Sequence, residues 1–175
     1  MDTKEQEAQS ALQTLLAAPI RIQTQYIKDL SFENPRYLDI ITKGEETPPQ
    51  LAVNFELEAH TLGENHYEVV LNTRVEAHYS KEQADKDAKK ETNTVFIMDL
   101  AYAGVFTLPQ LPAEVVRPLL LIECPRLLFP FVRSIIADVT KESGFPPVLL
   151  APVNFAELYE QGAASAELAK AAETK

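Results

Sequence analysis

The chain of 175 residues has no tryptophan, one cysteine, three histidines and five glycines, and its 16 Lys and Arg face 26 Asp and Glu, a net charge of −10. Each shortage excludes something. Gly44, Gly63, Gly104, Gly144 and Gly162 are all isolated, whereas a loop that cradles phosphate needs closely spaced glycines so that backbone N–H groups can approach the anion. No nucleotide-binding loop is expected. The shortage of bases argues against a nucleic-acid partner, because gripping a phosphate backbone takes clustered Lys and Arg. Cys124 has no second cysteine to pair with, and a lone thiol suits a reducing compartment, so a cytoplasmic location is expected. With Glu123 and Pro125 beside it and no histidine near in sequence, Cys124 reads as a small buried hydrophobe, not a nucleophile. His66 and His78 are too far apart on one extended strand to share an ion, about 40 Å, and His60 with His66 lacks a third ligand. Neither a metal nor any other cofactor is expected.

Long apolar runs are missing as well. Met1 to Pro19 carries Glu5 and Glu7 and has no basic start, so it does not read as a signal peptide. Val115 to Ile136, the most apolar stretch, is broken by Arg117, Glu123, Arg126, Arg133 and three prolines, and is not a membrane span. No direct membrane insertion is expected.

What is present is alternation, followed by helical spacing. Ile22, Tyr26, Leu30 and Phe32 are expected on one face of a first strand from Arg21 to Glu33, with Gln23, Gln25, Asp29 and Ser31 opposite. Asn34 to Gln50, with Pro35, Pro48, Pro49 and Gly44, reads as a long crossing loop. Leu51 to His60 alternates cleanly, a turn follows at Leu62 to Asn65, and His66 to Tyr79 alternates again. Ser80 to Glu91 reads as a charged, solvated connection, and Thr92 to Ala103 as a fourth strand with Phe96, Met98, Leu100 and Tyr102 inward. After Gly104 the spacing becomes helical: a short helix over Ala113 to Ile122 perturbed by Pro118, then a longer one from Pro125 in which Leu127, Leu128, Phe131, Val132, Ile135, Ile136 and Val139 recur at three- and four-residue spacing. Gly144 is placed to cap it in the left-handed conformation. Phe145 to Val153, with three prolines, is expected to be extended, and Asn154 with Glu157 to open a last helix. Strands first and helices afterwards is the α+β order, a four-stranded antiparallel sheet followed by two or three helices. One domain over residues 20–160 is expected, between a flexible extension, residues 1–19, and a flexible tail, residues 161–175.

Two features point toward function. The outward positions of the strands hold Asp29, Glu33, Glu56, Glu58, Glu68, Glu76 and Asp99, with only Arg21 and Arg74 to offset them, and Val70, Val95 and Ile97 lie among them. A solvated face would look like this, and so would a docking surface for a basic, partly apolar partner. The second feature is surplus apolar surface: Tyr37, Leu38, Ile40 and Ile41 in the crossing loop, and Leu119 to Ile122, Phe129 and Phe131 in the helices. Such a surplus suits core, self-association or a groove for apolar segments better than an enzyme pocket. A small-molecule-binding α+β protein would need convergent polar groups on the inward face, where only Thr24, Lys28, Thr73 and tyrosine hydroxyls are expected. An adaptor with an acidic docking face and no groove is a third reading.

The run Cys124, Pro125, Leu128, Phe129, Pro130, Arg133, then Phe145, Pro146 and the unbroken string Leu150 to Phe155, resembles the C-terminal half of SecB, the bacterial protein-export chaperone family. Tyr26, Lys28, Asp29, Ser31, Phe32, Glu33 and Pro35 resemble its first strand and Tyr67 to Leu71 its third. The likeness covers roughly Ile20 to Leu158. It implies a homotetramer, a dimer of dimers, that binds non-native precursor proteins without ATP, keeps them export-competent and delivers them to the motor SecA. By the resemblance, Asp29, Glu33, Ile97 and Asp99 would contact SecA. Tyr37, Leu38, Ile40, Ile41 and Phe131 would contact clients, and Met98, Leu100 and Tyr102 would influence assembly. The sequence departs from the family pattern in the longer Ser80 to Glu91 connection, the N-terminal extension and the tail after Leu158. No catalytic residue is implied.

Overall fold

Alternating apolar residues build four strands, β1 (Arg21–Glu33), β2 (Gln50–Gly63), β3 (His66–His78) and β4 (Thr94–Thr107), all antiparallel in the order β1-β4-β3-β2. The computed structural model describes residues 20–43, 48–79 and 94–161. The expected features of residues 1–19 and of Ser80 to Glu91 lie outside the described residues, as does the tail beyond Gln161. β2, β3 and β4 form a meander, and β1 pairs with the far side of β4, so the chain crosses from one sheet edge to the other between β1 and β2. The crossing carries a short helix, α1 (Tyr37–Lys43), where a loop was expected. Tyr37, Ile40 and Ile41 recur at helical spacing, and the Pro and Gly signals that suggested a loop lie outside those seven residues.

The inner face of the sheet pairs Leu71 with Tyr102, Thr73 with Leu100, Val75 with Met98 and Ala77 with Phe96. All eight of these side chains are buried, as expected for the two central strands. The edges are not: Leu51 of β2 is 50% exposed although its alternation is equally regular. β4 also runs past Gly104, where the strand was expected to stop. Gly104 is an inner-face position, and a Cβ there would come within 2.8 Å of Leu128 and of Phe106, so the glycine permits helix and sheet to approach closely.

Two β-bulges reset β1. Register shifts between Ile22 and Thr24 and between Ile27 and Asp29 each insert one extra residue against β4. Between the bulges the faces are exchanged relative to simple alternation. Tyr26, expected inward, lies opposite Ala103 on the outer face with Thr24, and Gln25, expected outward, lies opposite Gly104 on the inner one. After the second bulge Leu30 and Phe32 point inward and Asp29, Ser31 and Glu33 outward, as expected. A further shift between Ala77 and His78 leaves Val95 unpaired, and it joins the core instead of the outer face.

One helical run covers the inner face: α2 (Ala113–Pro118), a π-helical turn (Leu119–Glu123) and α3 (Cys124–Glu142). Pro118 ends α2, and the winding loosens directly after it. Along α3, Cys124, Leu128, Val132, Ile136 and Thr140 recur every four residues, are all buried, and seat the helix on β3 and β4. Burial of each leucine or isoleucine there contributes about 2 kcal/mol. Gly144, at φ 91°, closes α3 as expected. Its N–H donates to Lys141 O and the N–H of Phe145 to Thr140 O, the two bonds of a Schellman cap. The segment 145–153 is irregular; the Val148 N–H donates to Thr140 Oγ1 at 3.0 Å, and Val148 and Leu150 enter the core. Asn154 Oδ1 accepts from the Glu157 N–H at 3.4 Å and opens α4, residues 155–161.

Candidate functional site

The outer face of the sheet is acidic across all four strands. Asp29, Asn54, Glu56, Glu58, Asn72, Arg74 and Asp99 line one shallow concavity of about 340 Å³. Glu33 sits opposite Ile97, and Ser31 opposite Asp99, so the four positions assigned to a motor contact by resemblance lie on the two neighbouring strands β1 and β4. Asp29 and Glu33 are exposed and Ile97 and Asp99 half-buried. Asp99 is already engaged: Arg74 Nη1 donates to both of its oxygens, at 2.8 and 3.0 Å, while Arg74 Nε donates to Glu76. Arg74, and behind it His78 at 2.9 Å, hold the Glu76 carboxyl below the usual carboxylate value, and Glu76 and Asp99 together raise the Arg74 guanidinium.

Glu68 differs from the other acids. It is 8% exposed, and the Tyr26 hydroxyl and the Lys28 ammonium both donate to it. Those two bonds hold its carboxyl below the usual value and push the Tyr26 phenol and the Lys28 ammonium up. Lys28 therefore belongs to the outer face, which simple alternation had denied it. Val70 also lies on this face but is buried, so Ile97 is the apolar member left accessible there.

The inner side is apolar and only partly covered. α1 is seated through the Tyr37 ring, edge-on to Phe145 at 5.4 Å; Phe145 in turn packs on Phe96 and Phe96 on Phe32. Tyr37 and Ile40 are thereby half-buried, whereas Leu38 and Ile41 are 76% and 58% exposed. Phe131 is not with them. It stacks on Tyr102 at 6.1 Å, six residues along β4 from Phe96 and about 20 Å away. Its neighbours there are the inner-face residues Ile27 and Leu30 of β1, exposed like Leu127 and Phe131 of α3. The five client residues suggested by resemblance thus fall in two separate places. Met98, Leu100 and Tyr102 are buried under α3 within the single chain.

A third apolar surface escaped sequence reasoning. Between β2 and the α2–π segment, Leu57, Ala59, Leu111, Val116, Leu120 and Leu121 line a depression of about 560 Å³, continued past Leu57 and Leu121 by a second of about 350 Å³ that reaches Phe55, Leu158 and Tyr159. The regular alternation of β2 beyond the reach of α3 was the signal: its inward apolar residues are incompletely covered.

Cys124 is buried in the core, where desolvation and the neighbouring Glu123 push its thiol up to about 12. Among the described residues no group of three or more His, Cys, Asp or Glu is placed to hold a metal ion, and no helix is long and apolar enough to cross a membrane.

An α+β sheet with an acidic outer face and incompletely covered apolar ground beneath is a binding scaffold. Comparison makes the class specific. Residues 13–166 match the family described as preprotein translocase subunit SecB. The chain is 44% identical over 161 residues to the protein-export protein SecB of Gluconacetobacter diazotrophicus, covering 91% of this chain and 92% of that one. It is 47% identical over 144 residues to that of Granulibacter bethesdensis, covering 81% of each. Among solved structures, the SecB-like chaperone of Mycobacterium tuberculosis, bound to an antitoxin peptide, shares the fold with a TM-score of 0.55 at 14% identity, covering 81% of this chain and 94% of that one. The chain belongs to the SecB family, whose members are protein-export chaperones and not enzymes.

Proposed function

We propose that the protein is an ATP-independent cytoplasmic chaperone that holds non-native precursor proteins and delivers them to SecA, and that it works as a homotetramer built as a dimer of dimers. The observation that carries this reading is the apolar surface that the chain's own helices leave open. Ile22, Ile27 and Leu30 on β1 and Leu127 and Phe131 on α3 are large apolar side chains left exposed, and they suit contact with a second copy. Met98, Leu100 and Tyr102, buried under α3, would act on assembly by setting the seat of that helix and not by touching another subunit.

Leu38 and Ile41 on α1, and the depressions along β2, remain for clients. An unfolded segment laid there buries apolar side chains that would otherwise aggregate, with no strict side-chain code. Several subunits holding one chain add avidity, because each further contact is intramolecular. Asp29, Glu33, Ile97 and Asp99 on the opposite face would take the basic part of SecA, leaving the client surface occupied.

The test is a charge reversal of Asp29, Glu33 and Asp99 together. Calorimetric titration should show weakened binding to SecA, while suppression of precursor aggregation persists. Equal affinity of the triple variant for SecA would overturn the docking assignment. Native mass measurement should give an assembly of four chains that captures one unfolded precursor.

A further inference from the structure

Glu68 projects from β3, yet both groups that bind it come from β1, with β4 lying between the two strands. Tyr26 faces Ala103 and Glu68 faces Val105, so the contact crosses β4 diagonally between these two outward side chains. Tyr26 precedes the second bulge of β1, and Lys28 is the extra residue within it. One carboxylate therefore binds the bulge residue and the strand just before it.

The position of that bulge decides which way the next residues point. Tyr26 pairs with Ala103 and Asp29 with Ala101, so three residues of β1 span two of β4. From Asp29 onward alternation is strict, with Asp29, Ser31 and Glu33 outward. Were the bulge to move toward Glu33, the residues it passed would turn over, since a slip of one residue flips side chains to the opposite face. Asp29 would be the first to leave the acidic concavity. Among the described residues β1 is an edge strand paired with β4 alone; Gln23 and Gln25 bind Thr107 and the Tyr102 hydroxyl ahead of the second bulge, and Glu68 is the contact at the bulge itself.

We propose that Glu68 is a positioning residue: by binding Tyr26 and Lys28 together it fixes where β1 bulges, and so holds Asp29 and Glu33 on the face that receives a basic partner. This rests on the docking reading above and adds to it a residue too buried to meet the partner well itself.

Lys28→Met in the full-length protein gives a test in which the two explanations differ in sign. Removing a cation from an acidic face should tighten a basic ligand if charge alone matters. If Lys28 helps to fix the bulge, the same change should weaken it. The probe is a synthetic Lys-rich peptide, titrated at low salt, with amide hydrogen exchange along β1 read in parallel. The expected result is about threefold weaker binding for Lys28→Met and for Tyr26→Phe. Amides from Asp29 to Glu33 should exchange faster while β3 keeps its protection, and Lys28→Arg should restore both readouts. The control pair Asp29→Asn with Glu33→Gln should weaken the peptide with β1 exchange unchanged. If that pair leaves binding unchanged, the docking reading falls and the proposal with it. If the pair weakens binding while Lys28→Met tightens it, or leaves β1 exchange at the parent rate, only the proposal falls.

Discussion

Gly144→Ala tests how α1 is held. Gly144 sits at φ 91°, where an L side chain is strained, and a methyl built on it runs into the hydroxyl end of the Tyr37 ring. Two costs are expected. The left-handed backbone costs about 1 kcal/mol with alanine. Moving Tyr37 off its edge contact with Phe145, now at 5.4 Å, costs about 1 kcal/mol more, because the ring can swing away without a rearrangement of backbone. The total is about 2 kcal/mol in urea unfolding at fixed protein concentration. The decomposition is checked by repeating the substitution in a Tyr37→Ala background, where only the backbone cost, about 1 kcal/mol, should remain. A double-mutant coupling near zero would refute the argument that the glycine makes room for Tyr37. Because Tyr37 anchors α1, Gly144→Ala should also weaken suppression of precursor aggregation more than a core substitution of equal cost.

Leu38→Ser with Ile41→Ser should weaken client holding with little change in unfolding midpoint, since both side chains are exposed, whereas polar replacement of the half-buried Tyr37 and Ile40 should lower both. Arg74→Gln should tighten a basic peptide and steepen its salt dependence, because Arg74 occupies Asp99 and Glu76 in the free protein; unchanged affinity would show that those acids take no part in docking. The acid limb of stability should flatten in Glu68→Gln. The parent carboxyl is held below its usual 4.5 by Tyr26 and Lys28, so its contribution is complete above about that pH and is lost as pH falls through the folded value. Equal slopes for parent and variant between pH 5 and 3 would count against the ionised contact, a range set by ordinary carboxylate values of about 4.

Much of the sheet was legible because one face is buried: a strand that packs on one side writes its register into the sequence, as β3 does against β2 and β4 from Tyr67 to Ala77. β1 was misread at Tyr26, Gln25 and Lys28 because a bulge inserts one residue without a compositional mark, and neither of its bulges holds a glycine. α1 was hidden by prolines and a glycine that flank it, and the run of β4 past Gly104 by a glycine that serves packing instead of a turn. The acidic character of the outer face was legible from alternation alone. Which acids are free was not, since that depends on Arg74 reaching from β3 to β4 and on Tyr26 and Lys28 reaching from β1 to β3.

Those reaches give the outer face an internal order. Glu68 is committed to β1, and Glu76 and Asp99 share Arg74, while Asp29, Glu33, Glu56 and Glu58 stand exposed. A basic partner meeting this face would therefore find its exposed acids toward the two sheet edges, with Glu58 already accepting from Asn72 at 2.8 Å, and would have to displace an internal guanidinium to engage the centre. The apolar ground lies on the inner side of the same strands, with α3 and a layer of fully buried residues between. On the proposed reading, partner and client would press on opposite faces of one sheet, and neither would need to leave for the other to bind. Any coupling between them would pass through the strands themselves, and β1, bulged twice and placed at the sheet edge, is paired on one side only among the described residues.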